Sequence, residues 1–210
     1  KEFNTILSER NLGLSHYVVF IELVKLRDET EKQIIEYLKN NYFMSWIGTS
    51  AGKWSLVFDI IIYEKNSNLK NILGDFLQRF GDFIDNYEVL RLSESNYFAP
   101  KLIGKTNISH IQSESKDIVK LDKIDYKILS LLNQDSKKTL VDISHQINLT
   151  PNGVNNRIKA LIKNKIINGY TISLDWKKLG YEWFAIQIKL QKYSNKIDKQ
   201  IKIFLTNHKK

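Results

Sequence analysis

The sequence predicts an α+β chain built from two unlike kinds of domain, and three observations point there. The first half alternates strand-like and helix-like patterns in the order βαββαβ. The second half holds three short helical stretches and most of the chain's positive charge. The third observation is a return: Leu12-Gly13 leading into Tyr17 to Leu23 recurs as Leu179-Gly180 leading into Phe184 to Leu190. The same offset, 167 residues from Gly13 to Gly180, carries Lys32-Gln33-Ile34 onto Lys199-Gln200-Ile201 and Leu38 onto Leu205. So long a period does not suit a solenoid unit. It suggests a tandem duplication of a two-part module whose second copy is cut off, so that the chain is a fragment.

Residues 15–26 are apolar and β-branched on both alternations, which predicts a strand buried on two sides. From Asp28 to Asn41, Ile34, Ile35 and Leu38 fall at helical spacing. A short strand (42–47), a glycine turn (48–52) and a long strand (53–63) follow. Asn66-Ser67-Asn68 offers N-cap chemistry for a second helix with Leu69, Ile72, Leu73, Phe76, Leu77 and Phe80 on its stripe. Gly81 closes that helix, and residues 83–92 read as a last strand. Both helices of such a split βαβ sheet lie on one face. In the long strand both Leu56, Phe58, Ile60 and Ile62 and Val57, Ile61 and Tyr63 are apolar, so the face the helices leave uncovered would carry more apolar surface than a monomer usually leaves bare. Dimerisation through that face is therefore expected.

The turn Ile47 to Trp54 suits a hairpin loop with glycine at positive φ. It also suits a small-ligand site in which Gly48, Thr49, Ser50, Gly52, Trp54 and Ser55 offer backbone N–H and hydroxyl groups. It is not a phosphate loop, because Trp54 stands where Ser or Thr is required after Gly52-Lys53.

Residues 106–120 are polar and read as a linker. A helix then starts at Leu121-Asp122 with Ile124, Ile128, Leu131 and Leu132 inward. A second, beginning at Lys138 or Thr139, turns Leu140, Ile143 and Ile147 inward. Thr150 caps a third, and Pro151 fits its first position. That helix buries Val154, Ile158, Leu161 and Ile162, leaving Asn152, Asn155, Asn156, Arg157 and Lys159 outward. Residues 163–173, with Gly169, read as a turn and strand resembling a wing. Two short helices, a turn and a third helix with an amide- and Arg-rich face form a helix-turn-helix, whose last helix enters a major groove. Asn there pairs with adenine and Arg with guanine. The plainer alternative is a small helical domain whose polar side chains are simply solvated.

Charge supports the first of these. The net charge is +9, but residues 1–110 carry 13 Lys and Arg against 14 Asp and Glu, while residues 111–210 carry 19 against 9. An AT-rich coding bias toward lysine would spread evenly, whereas a localised excess is what a phosphate-binding surface needs. With no cysteine there are no disulfides or thiolate metal sites. No apolar run approaches the roughly 20 residues that span a bilayer. A cytoplasmic protein without cofactor or metal is expected. His16, His110, His145 and His208 are scattered, and no catalytic constellation is visible, so an enzyme is not expected.

At these residues the sequence resembles a known family. Leu121-Asp122-Lys123-Ile124-Asp125-Tyr126-Lys127-Ile128-Leu129 is similar to the opening of the helix-turn-helix in Lrp/AsnC ("feast/famine") regulators. Leu149-Thr150-Pro151-Asn152-Gly153-Val154-Asn155-Asn156-Arg157-Ile158 resembles their recognition helix, and Ile166-Ile167-Asn168-Gly169-Tyr170 with Asp175 and Leu179-Gly180 their connection to the ligand domain. The resemblance implies a regulatory (RAM-like) domain over 1–105, a linker over 106–120, a winged helix-turn-helix over 121–178 and the start of a second regulatory domain over 179–210. It implies a metabolite-responsive DNA-binding transcriptional regulator. Its partners would be double-stranded DNA, an amino acid or other small effector at the glycine turn, and a second sheet. Lys137, Lys138, Thr139, Thr150, Asn152, Asn155, Asn156, Arg157, Lys159 and Lys163 would face DNA.

Three departures stand out. The domain order is the reverse of the family's usual one, implying a fused tandem protein with another reading head upstream. Ser55 replaces the Asp often found in the regulatory turn, and Asn155-Asn156 replace a Ser-Arg-like pair. Siroheme decarboxylases share the two-domain plan, so the alternative function is an enzyme of that type.

Overall fold

A computed structural model describes residues 2–24, 27–63, 65, 67–93, 118–175, 177–182, 184–192 and 194–207. These fall into two compact units, one of residues 8–93 with 118–120, the other of residues 2–7 with those from 121 onward. Strand β1 (Glu2–Leu7) therefore belongs with the helices of the second half. Within the expected span 1–105, the described residues outside β1 reach only to 93. The expected linker is described only at 118–120, where Val119 N–H donates to the Asn11 carbonyl at 3.1 Å within the sheet unit.

The sheet unit runs β2 (Ser15–Leu23), α1 (Asp28–Lys39), β3 (Met44–Thr49), β4 (Leu56–Ile62), α2 (Leu69–Phe80) and β5 (Ile84–Arg91). This is the expected βαββαβ order. The sheet order is β3-β4-β2-β5, with every neighbouring pair antiparallel. β2 therefore parallels β3 across β4, and β4 parallels β5 across β2, as two interleaved βαβ crossovers require. Alternation decides the faces: Val19 and Ile21 of β2 and Leu56, Phe58, Ile60 and Ile62 of β4 are buried under the helices. Ile34 and Leu38 of α1 and Ile72, Phe76 and Phe80 of α2 complete this core. Phe76 stands edge-on to Phe58 with ring centroids 5.3 Å apart. Burying each such side chain contributes about 1.5–3 kcal/mol.

The second unit contains α3 (Lys123–Gln134), α4 (Leu140–Ile147), α5 (Pro151–Lys163), β6 (Ile167–Ser173) and α6 (Asn195–Asn207). Each of α3, α4 and α5 starts on a side-chain cap. Asp122 and Asp125 form a capping box on α3, Thr139 and Asp142 one on α4, and Thr150 Oγ1 accepts from Gly153 N–H at 3.1 Å on α5. Such caps satisfy backbone donors that a helix start leaves free. Asn148 ends α4 in the left-handed region at φ 54°, which Asn tolerates. Ile128, Leu129, Leu131, Leu132, Ile143, Ile147, Val154, Leu161, Ile166 and Ile167 are buried.

Several expectations are corrected. Leu140 and Ile162, read as inward, are 36% and 46% exposed. The strand expected within 163–173 is β6, and its antiparallel partner is β1. Residues 184–190, expected as a strand, do not form one, and Phe184, Ile186 and Ile188 are 77%, 84% and 74% exposed. The helix after it keeps the repeat, since α6 starts 167 residues after Asp28 starts α1.

Candidate nucleic-acid interface

Helix α5 is 13 residues long and divides cleanly around its axis. At 3.6 residues per turn, Asn152, Asn156, Lys159 and Lys163 fall within about 60° of one another. All four are exposed. Val154 and Leu161, on the opposite side, are buried. Asn155 lies at the edge of the outward stripe and is half-buried. The stripe offers amides that can both donate and accept, toward the helix N-terminus, and ammonium groups behind them. That order suits base edges first and phosphates second.

Arg157 is placed differently from the expectation. Its Nη1 lies 2.8 Å from Asp122 Oδ2 and 2.8 Å from Asp125 Oδ1, so the guanidinium ties α5 to the start of α3. The hydrogen bonds it donates to Asp122 and Asp125 raise the guanidinium's already high pKa. Asp122 is in turn held below the usual carboxylate range, first by its hydrogen bonding with the Asp125 capping partner and then by Arg157. Arg157 thus fixes the position of α5. Arg157, expected to face outward, instead lies one turn from the buried Val154 and Leu161, and its acidic partners are 32 and 35 residues away.

The remaining expected DNA residues divide by role. Thr139 and Thr150 spend their hydroxyls on caps: Thr139 Oγ1 donates to Asp142 Oδ2 at 2.7 Å, and Asp142 is lowered from the usual range chiefly by that bond. Lys137 lies over the Phe3 ring, Nζ 3.6 Å from its centroid, a cation–π contact. Lys138 is half-buried.

The glycine turn closes on itself. Ser50 Oγ donates to the Trp54 carbonyl at 2.6 Å, and Ser50 N–H donates to the Ser55 carbonyl at 3.0 Å. Ser55 Oγ accepts from Leu23 N–H at 2.8 Å and faces the Ile21 carbonyl at 3.4 Å, bracing β4 against β2. Trp54 packs on Phe20 with centroids 5.8 Å apart, and Lys53 Nζ lies 4.6 Å from the Trp54 ring. The Trp46 ring lies over Gly48, where a Cβ would collide with it. Of the expected effector residues, only Thr49 and Gly52 stay exposed without such a role in the turn. The hydroxyls of Ser50 and Ser55, read as ligand donors, are used by the protein's own backbone.

One cluster escaped the sequence reading. His16 Nδ1 lies 2.8 Å from Glu9 Oε2, and its Nε2 lies 3.1 Å from Asp59 Oδ2, an ion pair without hydrogen-bond alignment. Burial opposes the imidazolium, yet Asp59 and Glu9 outweigh it and raise the pKa to about 9. Among the described residues no acidic and histidine cluster is arranged to hold a metal ion, and no helix is long and apolar enough to cross a membrane.

Residues 121–168 match the family model for winged helix-turn-helix DNA-binding domains. The chain is 41% identical over 68 residues to an HTH-type transcriptional regulator of Pyrococcus furiosus, covering 32% of this chain and 46% of that protein. It is 37% identical over 67 residues to the HTH-type transcriptional regulator LrpB of Bacillus subtilis, covering 32% and 45%. The helical unit is a winged helix-turn-helix, similar in sequence to those of these regulators. The chain spans about half the length of the curated relatives it matches. The fold of the chain is similar to a siroheme decarboxylase, NirDL, in complex with an iron-uroporphyrin III analogue. That likeness has a TM-score of 0.55 at 11% identity and covers 81% of this chain and 49% of that one. It establishes a shared fold and no shared chemistry.

Proposed function

We propose that the protein is a DNA-binding transcriptional regulator of the Lrp/AsnC type, with α5 as its reading helix. The observation that carries this is the exposed stripe Asn152, Asn156, Lys159 and Lys163 on a helix fixed by Thr150 and Arg157. Asn152 and Asn156 read base edges in the major groove, and Lys159 and Lys163 contact phosphates. The basic excess of the second half adds attraction at longer range. The relatives named as transcriptional regulators support this reading.

The sheet unit is the regulatory half. Its outer face carries Val18, Phe20, Val57 and Ile61, half-buried, beside Trp46 and Leu90, 45% and 39% exposed. A second sheet is the natural cover for such a face. A small metabolite, an amino acid among the candidates, biases how the sheets pair. The glycine turn takes part through its backbone rather than through the hydroxyls of Ser50 and Ser55.

Fluorescence titration of labelled random duplex DNA at several salt concentrations tests the proposal. A regulator of this kind loses affinity steeply with salt, each lysine–phosphate contact adding about −0.9 to the log–log slope. Lys159→Ala and Lys163→Ala each flatten that slope by about one contact. Absence of binding at low salt would sink the proposal and leave the decarboxylase-like fold as the better guide.

A further inference from the structure

The helical unit is short of the groups that read guanine and cytosine. Of the 19 basic residues in 111–210, 18 are lysines and one, Arg157, is an arginine. A guanidinium is a rigid fork that matches the O6 and N7 acceptors of guanine, and it is the commonest reader of that base. An ammonium is a compact, strongly hydrated charge better suited to phosphate. Arg157 is not available for guanine, because its Nη1 lies 2.8 Å from both Asp122 Oδ2 and Asp125 Oδ1. Helix α5 also contains no Asp or Glu, the acceptors that read cytosine N4.

What the start of α5 does offer is amide. A helix in the major groove meets base edges with its N-terminal residues, here Pro151 to Asn156. Pro151 and Gly153 have no hydrogen-bonding side chain, Val154 is buried, and Asn155 is half-buried at the edge of the stripe. Asn152 and Asn156 are exposed and lie about 40° apart around the axis. Each amide donates through Nδ2 and accepts through Oδ1, the complement of the N7 acceptor and N6 donor of adenine. Four residues of helix set the two amides about 6 Å apart along the axis. That distance is no more than two base-pair steps of about 3.4 Å each. Lys159 and Lys163 come about one and two turns later, beyond the part of the helix that meets base edges.

We propose that the half-site read by α5 is specified by two adenines no more than two base-pair steps apart, one held by Asn152 and the other by Asn156, and that α5 specifies no guanine. Lys159 and Lys163 add affinity that is the same for every sequence. This rests on the reading of α5 as a DNA-reading helix and names what that helix selects. Replacing either A·T pair by G·C leaves an amide facing the wrong acceptors, and each replacement weakens binding about five- to 150-fold.

Selection from a random duplex library with the chain as it stands, followed by titration of the selected duplex, tests this. Two adenines at that spacing should be enriched. Asn152→Ala should erase the preference at one of them and Asn156→Ala at the other, each weakening the selected duplex about five- to 150-fold. 7-Deazaadenine, which replaces the N7 acceptor by C–H and keeps the base pair, should weaken binding by the parent chain at either position. The matching alanine variant should not distinguish it from adenine. Asn156→Arg should move its position from adenine to guanine. A selected guanine that depends on Asn152 or Asn156, or an adenine preference that survives both alanine variants, would overturn the proposal. Equal binding to every duplex with a steep salt dependence would overturn it too, while leaving DNA binding itself in place. Absence of binding to any duplex at low salt would instead remove the DNA-binding function, and the base preference with it.

Discussion

Two residues on the reading helix look alike in sequence and differ in what they do. Arg157 faces Asp122 and Asp125, whereas Asn156 faces solvent. Asn156→Ala should cost about 1–3 kcal/mol for one base at one operator position and leave thermal unfolding unchanged. Arg157→Ala should lower the unfolding midpoint and weaken every duplex alike, because it loosens the helix rather than removing a base contact. Binding measured against a panel of single-base operator variants separates the two patterns. A base-specific loss for Arg157→Ala would show that the guanidinium leaves its aspartates to reach DNA. His16 sets a second expectation at this scale. Its folded pKa of about 9 lies above the ordinary value of 6.5. The Glu9–His16–Asp59 pairing therefore stabilises the sheet unit fully below pH 6.5, and that contribution is lost as pH rises through about 9. Urea midpoints at pH 6 and pH 9.5 should differ by more in the parent chain than in His16→Gln. The difference between them should be on the order of 2 kcal/mol once screening of the partly open cluster is counted.

At the scale of elements, the sequence made legible whatever depends on local pattern. The βαββαβ order follows from alternation and helical stripes, and the three helices of the reading head follow from their caps and apolar spacing. Thr150→Ala should accordingly cost about 1 kcal/mol of stability by removing the Gly153 N–H acceptor. Circular dichroism through thermal unfolding reads this, and Thr150→Ser should restore it. What stayed hidden depends on partners far along the chain. Glu2–Leu7 lacks clean alternation, and its partner strand lies at Ile167–Ser173, so nothing nearby marks it as a strand. Ser50 and Ser55 looked available as ligand donors because a sequence does not show that Trp54 and Leu23 already use them. Residues 184–190 show the converse: the alternation is present, yet no strand forms, and pattern alone does not make a sheet.

Across the whole molecule, charge and apolar surface are divided between the halves. Residues 1–110 are close to neutral, and the remainder carries the positive excess. Two copies meeting through the sheet unit's outer face would bring near-neutral surfaces together, and each basic half would keep its attraction for DNA. Val18 and Leu90 are cross-strand neighbours on that face, and Trp46 lies opposite Asp59 on it. Leu90 and Trp46 are the most open of its large apolar side chains among β2 to β5. Light scattering should find the parent chain as a dimer at micromolar concentration. Leu90→Lys should shift it to monomer, because an ammonium buried between two packed sheets loses its hydration. The same substitution should leave the helix-turn-helix folded and able to hold a single half-site, since Leu90 belongs to the other unit. A parent chain that stays monomeric at high concentration would show that something other than a second sheet covers this face. Leu90→Lys would then be expected to change solubility little and DNA binding not at all.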